Sequence, residues 1–118
     1  MSDVQKFDKH FEEKFLQSMI VDTPFAEQMM DVLELKYLDL SYTTRIAKLL
    51  MDYHQEYEVL PSIALIESIL KTKENDEALK NQCLGFLGEI KKKNDFNDLE
   101  YVKDKSLQFF RVRNLFKT

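Results

Sequence analysis

The residues that could carry chemistry are few and widely separated in this chain. Its two histidines are His10 and His54, and its one cysteine is Cys83. The histidines do not stand four residues apart, the spacing that would place both on one helix face around a metal ion. We expect His54 to be a boundary histidine that makes a hydrogen bond, and Cys83 to be a small core residue. The sequence therefore predicts no catalytic residue, no metal site and no cofactor.

Carboxylates are plentiful, with 21 aspartates and glutamates against 17 lysines and arginines. A general acid–base pair would need two of them held together, and no spacing singles out such a pair. We interpret these as solvated helix surface or as charge near helix N-termini: Glu12, Glu13, Asp52, Glu56, Asp76 and Glu77. The net charge of −4 argues against binding nucleic acid by general attraction to its phosphates.

The glycine content limits both the fold and the function. The 118 residues include two glycines and two prolines, whereas β-turns and phosphate-binding loops depend on glycine. Neither GxxxxGK[ST] nor GxGxxG occurs, so we do not expect this chain alone to bind and hydrolyse ATP. Gly85 and Gly88 both lie inside a predicted helix, where each costs about 1 kcal/mol relative to alanine. Two interpretations are equally supported. Either a neighbouring helix or a partner chain approaches closely there, or the glycines are surface substitutions with no effect on function.

Apolar residues recur at three- and four-residue spacing along nearly the whole chain, which predicts an all-α fold. We expect a globular head over residues 1–95, a compact bundle of roughly five helices, followed by a longer C-terminal helix over residues 96–118. The third helix is the best defined, with its apolar arc formed by Tyr42, Ile46, Leu49, Leu50, Tyr53 and Tyr57. Between the fourth and fifth helices, the polar run KTKENDEALK predicts a mobile loop.

Helix starts are marked by capping residues. Thr23 is expected to cap the second helix, Ser62 the fourth, and Asn75 or Asp76 the fifth. No signal-peptide core opens the chain, and no apolar run approaches the roughly 20 residues of a membrane span. We therefore expect a soluble cytoplasmic protein with no membrane partner.

The final segment, LQFFRVRNLFKT, carries apolar residues around most of a helix circumference. A helix that is apolar on two sides is buried on two sides, so one side is expected to meet a partner. The candidate subunit-interface residues are Phe109, Phe110, Val112, Leu115 and Phe116. Arg111 and Arg113 are candidates for a polar rim or for nucleic-acid contacts, in which the aromatics would stack on bases. We favour an interface, because the phenylalanines follow helical packing spacing.

Three stretches in order resemble one known family. They are EEKFLQSMIVDTPF, VLELKYLDLSYTTRIAKLLMDYHQEYEVLPSIALIESIL and DLEYVKDKSLQFFRVRNLF. The chain resembles the N-terminal domain of DnaB-type replicative helicases, especially the phage branch. The resemblance covers nearly the whole chain through hydrophobic patterns. It includes the Tyr37–Leu38 pair before a long helix, then Pro61–Ser62 and a further helix, and it matches the final stretch to the first arm of the family's helical hairpin.

The resemblance implies a non-catalytic domain for assembly and docking. In that family, such domains pair into a collar over the hexameric ATPase ring and offer a surface to primase and, in some systems, to the helicase loader. The motor domain and the second hairpin arm are missing from this stretch. The chain is therefore either an isolated domain of a longer ATP-dependent helicase or a truncated homologue, and we favour the isolated domain. The resemblance also implies self-association (a dimer, or a hexamer in the parent protein), weak or no direct nucleic-acid binding, and a bacterial or phage-infected cytoplasm.

Two other functions stay open at this point. One is the helicase-binding domain of a primase, which has a similar helical build. The other is a small standalone replication accessory protein that binds single-stranded DNA or a helicase, for which Arg111 and Arg113 would supply salt-sensitive contacts.

Overall fold

The computed structural model of the chain describes residues 7–92 and 97–115. Over these residues the chain forms six α-helices, one short 3-10 helix and no strand, which confirms the predicted all-α fold. In chain order the elements are α1 (Lys9–Val21), α2 (Thr23–Met29), the 3-10 turn (Leu35–Tyr37), α3 (Ser41–Tyr57), α4 (Ile63–Lys73), α5 (Glu77–Lys92) and α6 (Leu99–Leu115).

Side-chain caps set most of the helix starts. The Asp22 carboxylate accepts a hydrogen bond from the backbone N–H of Phe25 and so caps α2, while the Asp22 N–H donates to the Ser18 carbonyl at the end of α1. One residue thus ends one helix and begins the next, and the predicted cap, Thr23, is instead the first helical residue. Ser62 caps α4 as predicted, and Asp76, one of the two predicted candidates, caps α5.

The core lies between α1 and the helices that surround it. α1 packs against α2, α3 and α6, and α5 packs against α3 and α4. The largest side chains with no more than 2% exposure come from several of these helices. They include Phe15, Leu16, Ile46, Leu50, Ile66, Leu70, Leu87 and Phe110. The helical periodicity of the sequence therefore corresponds to one shared apolar core.

The prediction that Glu12 is solvated helix surface is wrong. Glu12 has no exposed surface, and its two carboxylate oxygens accept the backbone N–H groups of Asp39 and Leu40, each at 2.9 Å. The Thr43 hydroxyl donates to the same carboxylate. Since Leu40 offers no side-chain cap to α3, this carboxylate from α1 replaces a local cap and ties α3 to α1.

Two further expectations are corrected at the end of α3 and after α4. Tyr57 was expected in the apolar arc of α3, but it is 56% exposed, because α3 ends there and Glu58 turns into the left-handed region at φ 60°. The polar run was expected to be a mobile loop, but α4 continues to Lys73 and α5 begins at Glu77. The short connection is held by an ion pair of 2.6 Å between Arg45 and Glu74.

The C-terminal helix packs into the same core as the rest of the chain. The predicted boundary between residues 95 and 96 falls within residues 93–96, outside the described residues. Beyond it, α6 lies along α1, with Leu99, Val102, Ser106 and Phe110 buried. Lys103 adds an ion pair of 2.6 Å to Asp22 at the junction of α1 and α2.

Candidate interaction surfaces

The C-terminal half of α6 divides the predicted interface residues between the core and solvent. Phe110 is fully buried and Phe109 is half-buried, so Phe110, one of the predicted interface residues, is a core residue. Val112 and Leu115 are 45% and 79% exposed. Phe116 lies outside the described residues. Among the described residues of the predicted surface, the exposed ones are therefore Val112 and Leu115.

The rings of Phe109 and Phe110 belong to an aromatic cluster that joins α6 to α1 and to the 3-10 turn. The Phe109 centroid lies 4.7 Å from that of Phe7 and 5.3 Å from that of Tyr37. The Phe110 ring stacks on Phe15 with centroids 5.7 Å apart. Aromatic pairs at these separations are each worth about 0.5–1.5 kcal/mol beyond their buried area, so this cluster fixes α6 within the domain.

The two arginines of this segment have different surroundings. The Arg113 guanidinium lies 3.8 Å from the Phe109 ring centroid and 5.9 Å from that of Tyr37, which is a cation–π arrangement. It therefore covers one face of the Phe109 ring. Arg111 is exposed. It lies next to Val112 and one helical turn from Leu115. We call Arg111, Val112 and Leu115 the α6 tip.

A second apolar surface lies between α3 and α4, and we call it the α3–α4 groove. It encloses about 460 Å³. One wall is formed by the rings of Tyr53 and Tyr57, whose centroids are 4.7 Å apart, and the other by Leu65 and Ile69. Leu49 lies between the walls and is buried. Sequence reasoning assigned Tyr57 to the apolar arc of α3, because helical spacing cannot distinguish a face buried by its own chain from one left open.

The α3 rim of this groove is acidic. Asp52 and Glu56 are exposed, four residues apart, and both line the groove. The Glu56 charge and its hydrogen bond with Tyr57 raise the pKa of that phenol. Two basic residues also line the groove, Arg45 on α3 and Lys73 on α4. Arg45 is paired with Glu74, and the hydrogen bond from Arg45 lowers the pKa of the Glu74 carboxyl.

A third depression of about 470 Å³ lies between α1 and α5. Its lining includes His10, Glu13 and Gln17 on α1 and Phe86 on α5. Glu13 accepts a hydrogen bond of 2.5 Å from the Tyr42 hydroxyl. Burial, together with the neighbouring Glu13 carboxylate, raises the pKa of Tyr42 far above its ordinary value. That phenol therefore stays protonated at neutral pH and acts as a fixed donor.

The two glycines of α5 face open space. A methyl group built on Gly85 or Gly88 would meet nothing within 4 Å. Within residues 7–92 and 97–115, no helix of this chain therefore approaches either glycine closely. The interpretation that a neighbouring helix of the same chain packs against them is wrong. Approach by a partner chain stays a prediction.

The residues that could carry out chemistry have structural surroundings in the fold. His54 Nε2 lies 2.7 Å from Glu27 Oε1, the hydrogen bond expected of a boundary histidine, and His10 is exposed. Cys83 is buried, and burial raises the pKa of its thiol to about 11. In the part of the chain that the structure describes, no three His, Cys, Asp or Glu residues are grouped as metal ligands would be, and no described helix combines the length and apolar character of a membrane span.

No protein-family model, no curated protein and no solved structure matches this chain. The candidate surfaces are therefore identified from geometry alone. They are the α6 tip, where apolar side chains project from a helix fixed by its opposite face, and the α3–α4 groove, where apolar walls meet an acidic rim.

Proposed function

We propose that this chain is a non-catalytic assembly and docking domain of a DnaB-type hexameric replicative DNA helicase. In this proposal the α6 tip takes part in pairing subunits in the collar, and other surfaces of the domain contact primase or the helicase loader. One observation carries the proposal: Leu115 is 79% exposed on a helix whose opposite face holds the fully buried Phe110. The family resemblance supplies the assembly to which such a surface belongs.

The energetics of the α6 tip favour a contact within a larger assembly. Burying an exposed valine or leucine completely gains about 1.5–3 kcal/mol, whereas association costs about 4–15 kcal/mol in lost translational and rotational freedom. Val112 and Leu115 therefore support no more than weak association between two free chains, and a stable contact needs additional surface. In a hexamer, the neighbouring motor domains hold the subunits close together. This raises the effective concentration of the α6 tips, so that a weak contact can form within a collar.

The rival function, binding of single-stranded DNA, has less support from the same segment. Base stacking needs an accessible aromatic face, and the Phe109 ring is covered by Arg113 on one side and contacts Phe7 and Tyr37 elsewhere. The chain also carries a net charge of −4. These features favour assembly over a nucleic-acid contact.

Sedimentation velocity over a wide concentration range tests the assembly function. We expect the wild type to self-associate weakly, and the Val112→Ser/Leu115→Ser variant to stay monomeric with an unchanged circular dichroism spectrum. Val21→Ser is the matched control, since Val21 is also an exposed valine near a helix end, on α1. A wild type that stays monomeric up to about 1 mM contradicts the proposal, since a dissociation constant of that size corresponds to a binding free energy of only about −4 kcal/mol. Equal association by the wild type and the double variant also contradicts it.

The helicase assignment has a separate test. The DNA reading frame around the segment that encodes this chain should contain a P-loop motor domain downstream of residue 118. A polymerase-type domain upstream of residue 1 would instead identify the chain as the helicase-binding domain of a primase. Salt-sensitive binding to single-stranded DNA that falls on Arg111→Gln/Arg113→Gln would support the accessory-protein alternative.

A further inference from the structure

We propose that the α3–α4 groove of one copy of this chain receives the α6 tip of a second copy, so that subunits contact one another head to tail. This inference rests on the proposed assembly function and adds the identity of the surface that the tip meets. It is carried by the match between two surfaces of the same chain in apolar character and in charge.

The apolar match is between a projection and a depression. The tip presents Val112 and Leu115 from the last described turns of α6. The groove presents the exposed ring of Tyr57 on one wall and Leu65, 38% exposed, on the other. Its volume of about 460 Å³ lies in the range of about 300–1,000 Å³ found for sites that enclose small ligands. The groove is therefore large enough to take aliphatic side chains from one side of a helix.

The charge match sets the direction of the contact. Arg111 is exposed beside Val112 on the tip, and the exposed Asp52 and Glu56 stand on the α3 rim of the groove. Because Arg45 within the groove is already paired with Glu74 at 2.6 Å, its charge is locally neutralised. A helix that enters with Arg111 toward α3 therefore brings an arginine to the rim that carries Glu56 and Asp52, the latter already paired with Lys48 at 2.9 Å. The opposite direction would bring it toward Lys73 on α4.

Pairing of α6 with α6 of a second copy fits the observations less well. The outer face of α6 also carries the exposed Tyr101, but between Tyr101 and Val112 it presents Asp104, Lys105 and Gln108, all exposed. Such a face is polar at its centre, whereas the core of a stable interface is depleted of charged residues. Pairing of α6 with α6 would also bring two convex helix surfaces together, whereas the α3–α4 groove is a concave site.

A head-to-tail contact has a consequence for assembly. It joins two different surfaces, so each subunit keeps one unused tip and one unused groove, and addition continues until the chain of subunits closes into a ring or extends as a filament. A closed ring is the form that a hexameric collar requires. The contact and the proposed function are therefore compatible in symmetry.

Complementation between two single-site variants tests this contact. Leu65→Asp places a charge in the groove, and Leu115→Asp places one on the tip. Both residues are exposed, so both variants should fold, which circular dichroism verifies. In sedimentation velocity, each variant alone should lose the association of the wild type. An equimolar mixture should form a dimer, because the Leu115→Asp chain still has an intact groove and the Leu65→Asp chain still has an intact tip. Val21→Asp is the control and should associate like the wild type.

A charge-reversal pair adds an independent readout. Glu56→Arg alone and Arg111→Glu alone should each raise the dissociation constant by about fivefold, the upper end for an exposed ion pair. The combined Glu56→Arg/Arg111→Glu variant should return to within about twofold of the wild type, because the pair is restored with opposite signs. Additive weakening in the combined variant would contradict the contact.

The outcomes separate this inference from the proposed function. If Leu65→Asp associates like the wild type while Leu115→Asp does not, the tip is an assembly surface but the groove is not its partner, and the inference is overturned alone. A mixture that fails to dimerise overturns the inference in the same way. If the wild type is monomeric, or if Leu115→Asp associates equally well, the assembly function itself fails.

Discussion

The buried carboxylate of Glu12 shows how one side chain can replace a helix cap from a distant part of the chain. Asp39, Leu40 and Thr43 all donate to it, and they lie about 30 residues further along the chain. The position of α3 on α1 therefore depends on a polar contact as well as on the core.

Replacing this carboxylate by an amide should destabilise the domain. In Glu12→Gln, one of the two accepting oxygens becomes an NH₂ group, so a buried donor loses its acceptor, which costs about 1–3 kcal/mol. We expect urea denaturation to show a loss of that size in the free energy of unfolding. Glu89→Gln, the same change on an exposed position of α5, should stay within about 0.5 kcal/mol of the wild type. Equal small effects in both variants would contradict a capping role for Glu12.

Sequence reasoning missed Glu12 because its partners are remote, although one local signal was present. Glu12, Leu16 and Met19 are spaced at i, i+4 and i+7, so they share a helix face, and Leu16 and Met19 are buried. A glutamate in line with buried apolar residues is a candidate for a buried carboxylate. Which N–H groups it would accept could not be read from the sequence, because that depends on how α3 docks.

At the scale of the helix, α5 holds two glycines that nothing in the described structure requires. A methyl group at Gly85 or Gly88 would enter open space, and glycine inside a helix is less favourable than alanine by about 0.5–1 kcal/mol. Gly85→Ala and Gly88→Ala should therefore each raise the free energy of unfolding by about that amount in urea denaturation. Leu87→Ala, within the same helix but fully buried, should lower it by about 2–5 kcal/mol. A destabilising effect of either glycine variant would show that the backbone there is constrained by more than helix propensity.

The ion pair between Asp22 and Lys103, where α6 meets the junction of α1 and α2, should make the stability of the domain depend on pH. The hydrogen bond from Lys103 lowers the pKa of Asp22 below its ordinary value of 3.8, and the hydrogen bonds to Asp22 and Glu100 raise the pKa of Lys103 above 10.5. A carboxyl group with a lowered pKa contributes stability at neutral pH and loses it as the pH falls through the folded-state pKa. The raised Lys103 pKa acts in the opposite direction and loses its contribution at alkaline pH.

Asp22→Asn isolates this effect, because asparagine keeps an oxygen to cap α2 and removes the charge. Since Asp22 and Lys103 are partly exposed, we expect a loss of about 0.5–1 kcal/mol at neutral pH, shrinking as the pH falls through the lowered pKa. Urea denaturation at a series of pH values measures it. Asp52→Asn removes an exposed ion pair of 2.9 Å with Lys48 and should have a smaller effect. A difference between wild type and Asp22→Asn that is constant with pH would argue against the ion pair.

At the scale of the whole molecule, the sequence predicted the all-α class, the order of the helices and the cap at Ser62, and it narrowed the cap of α5 to Asn75 or Asp76, because these depend on local spacing and local hydrogen bonds. It did not predict which apolar faces stay uncovered. Tyr57 and Leu65 fit a core pattern as well as Ile46 does, and only the paths of α3 and α4 leave the first two exposed. The division between a head over residues 1–95 and a C-terminal helix over residues 96–118 stays a prediction, and α6 packs along α1.

The integration of α6 into the core predicts a single unfolding transition that includes this helix. Phe110 has no exposed surface and stacks on Phe15 of α1, so Phe110→Ala should remove about 3–5 kcal/mol from the free energy of unfolding of the whole domain. The backbone amides of α6 should exchange with deuterium at the same opening free energy as those of α1 and α3. Leu115→Ala, on the exposed side of the same helix, should change stability by less than about 0.5 kcal/mol. If Phe110→Ala instead leaves the stability of α1 to α5 unchanged and only α6 exchanges faster, α6 is an arm attached to a separate head. The α6 tip would then move independently of the groove-bearing helices, and a rigid head-to-tail ring could not form from this domain.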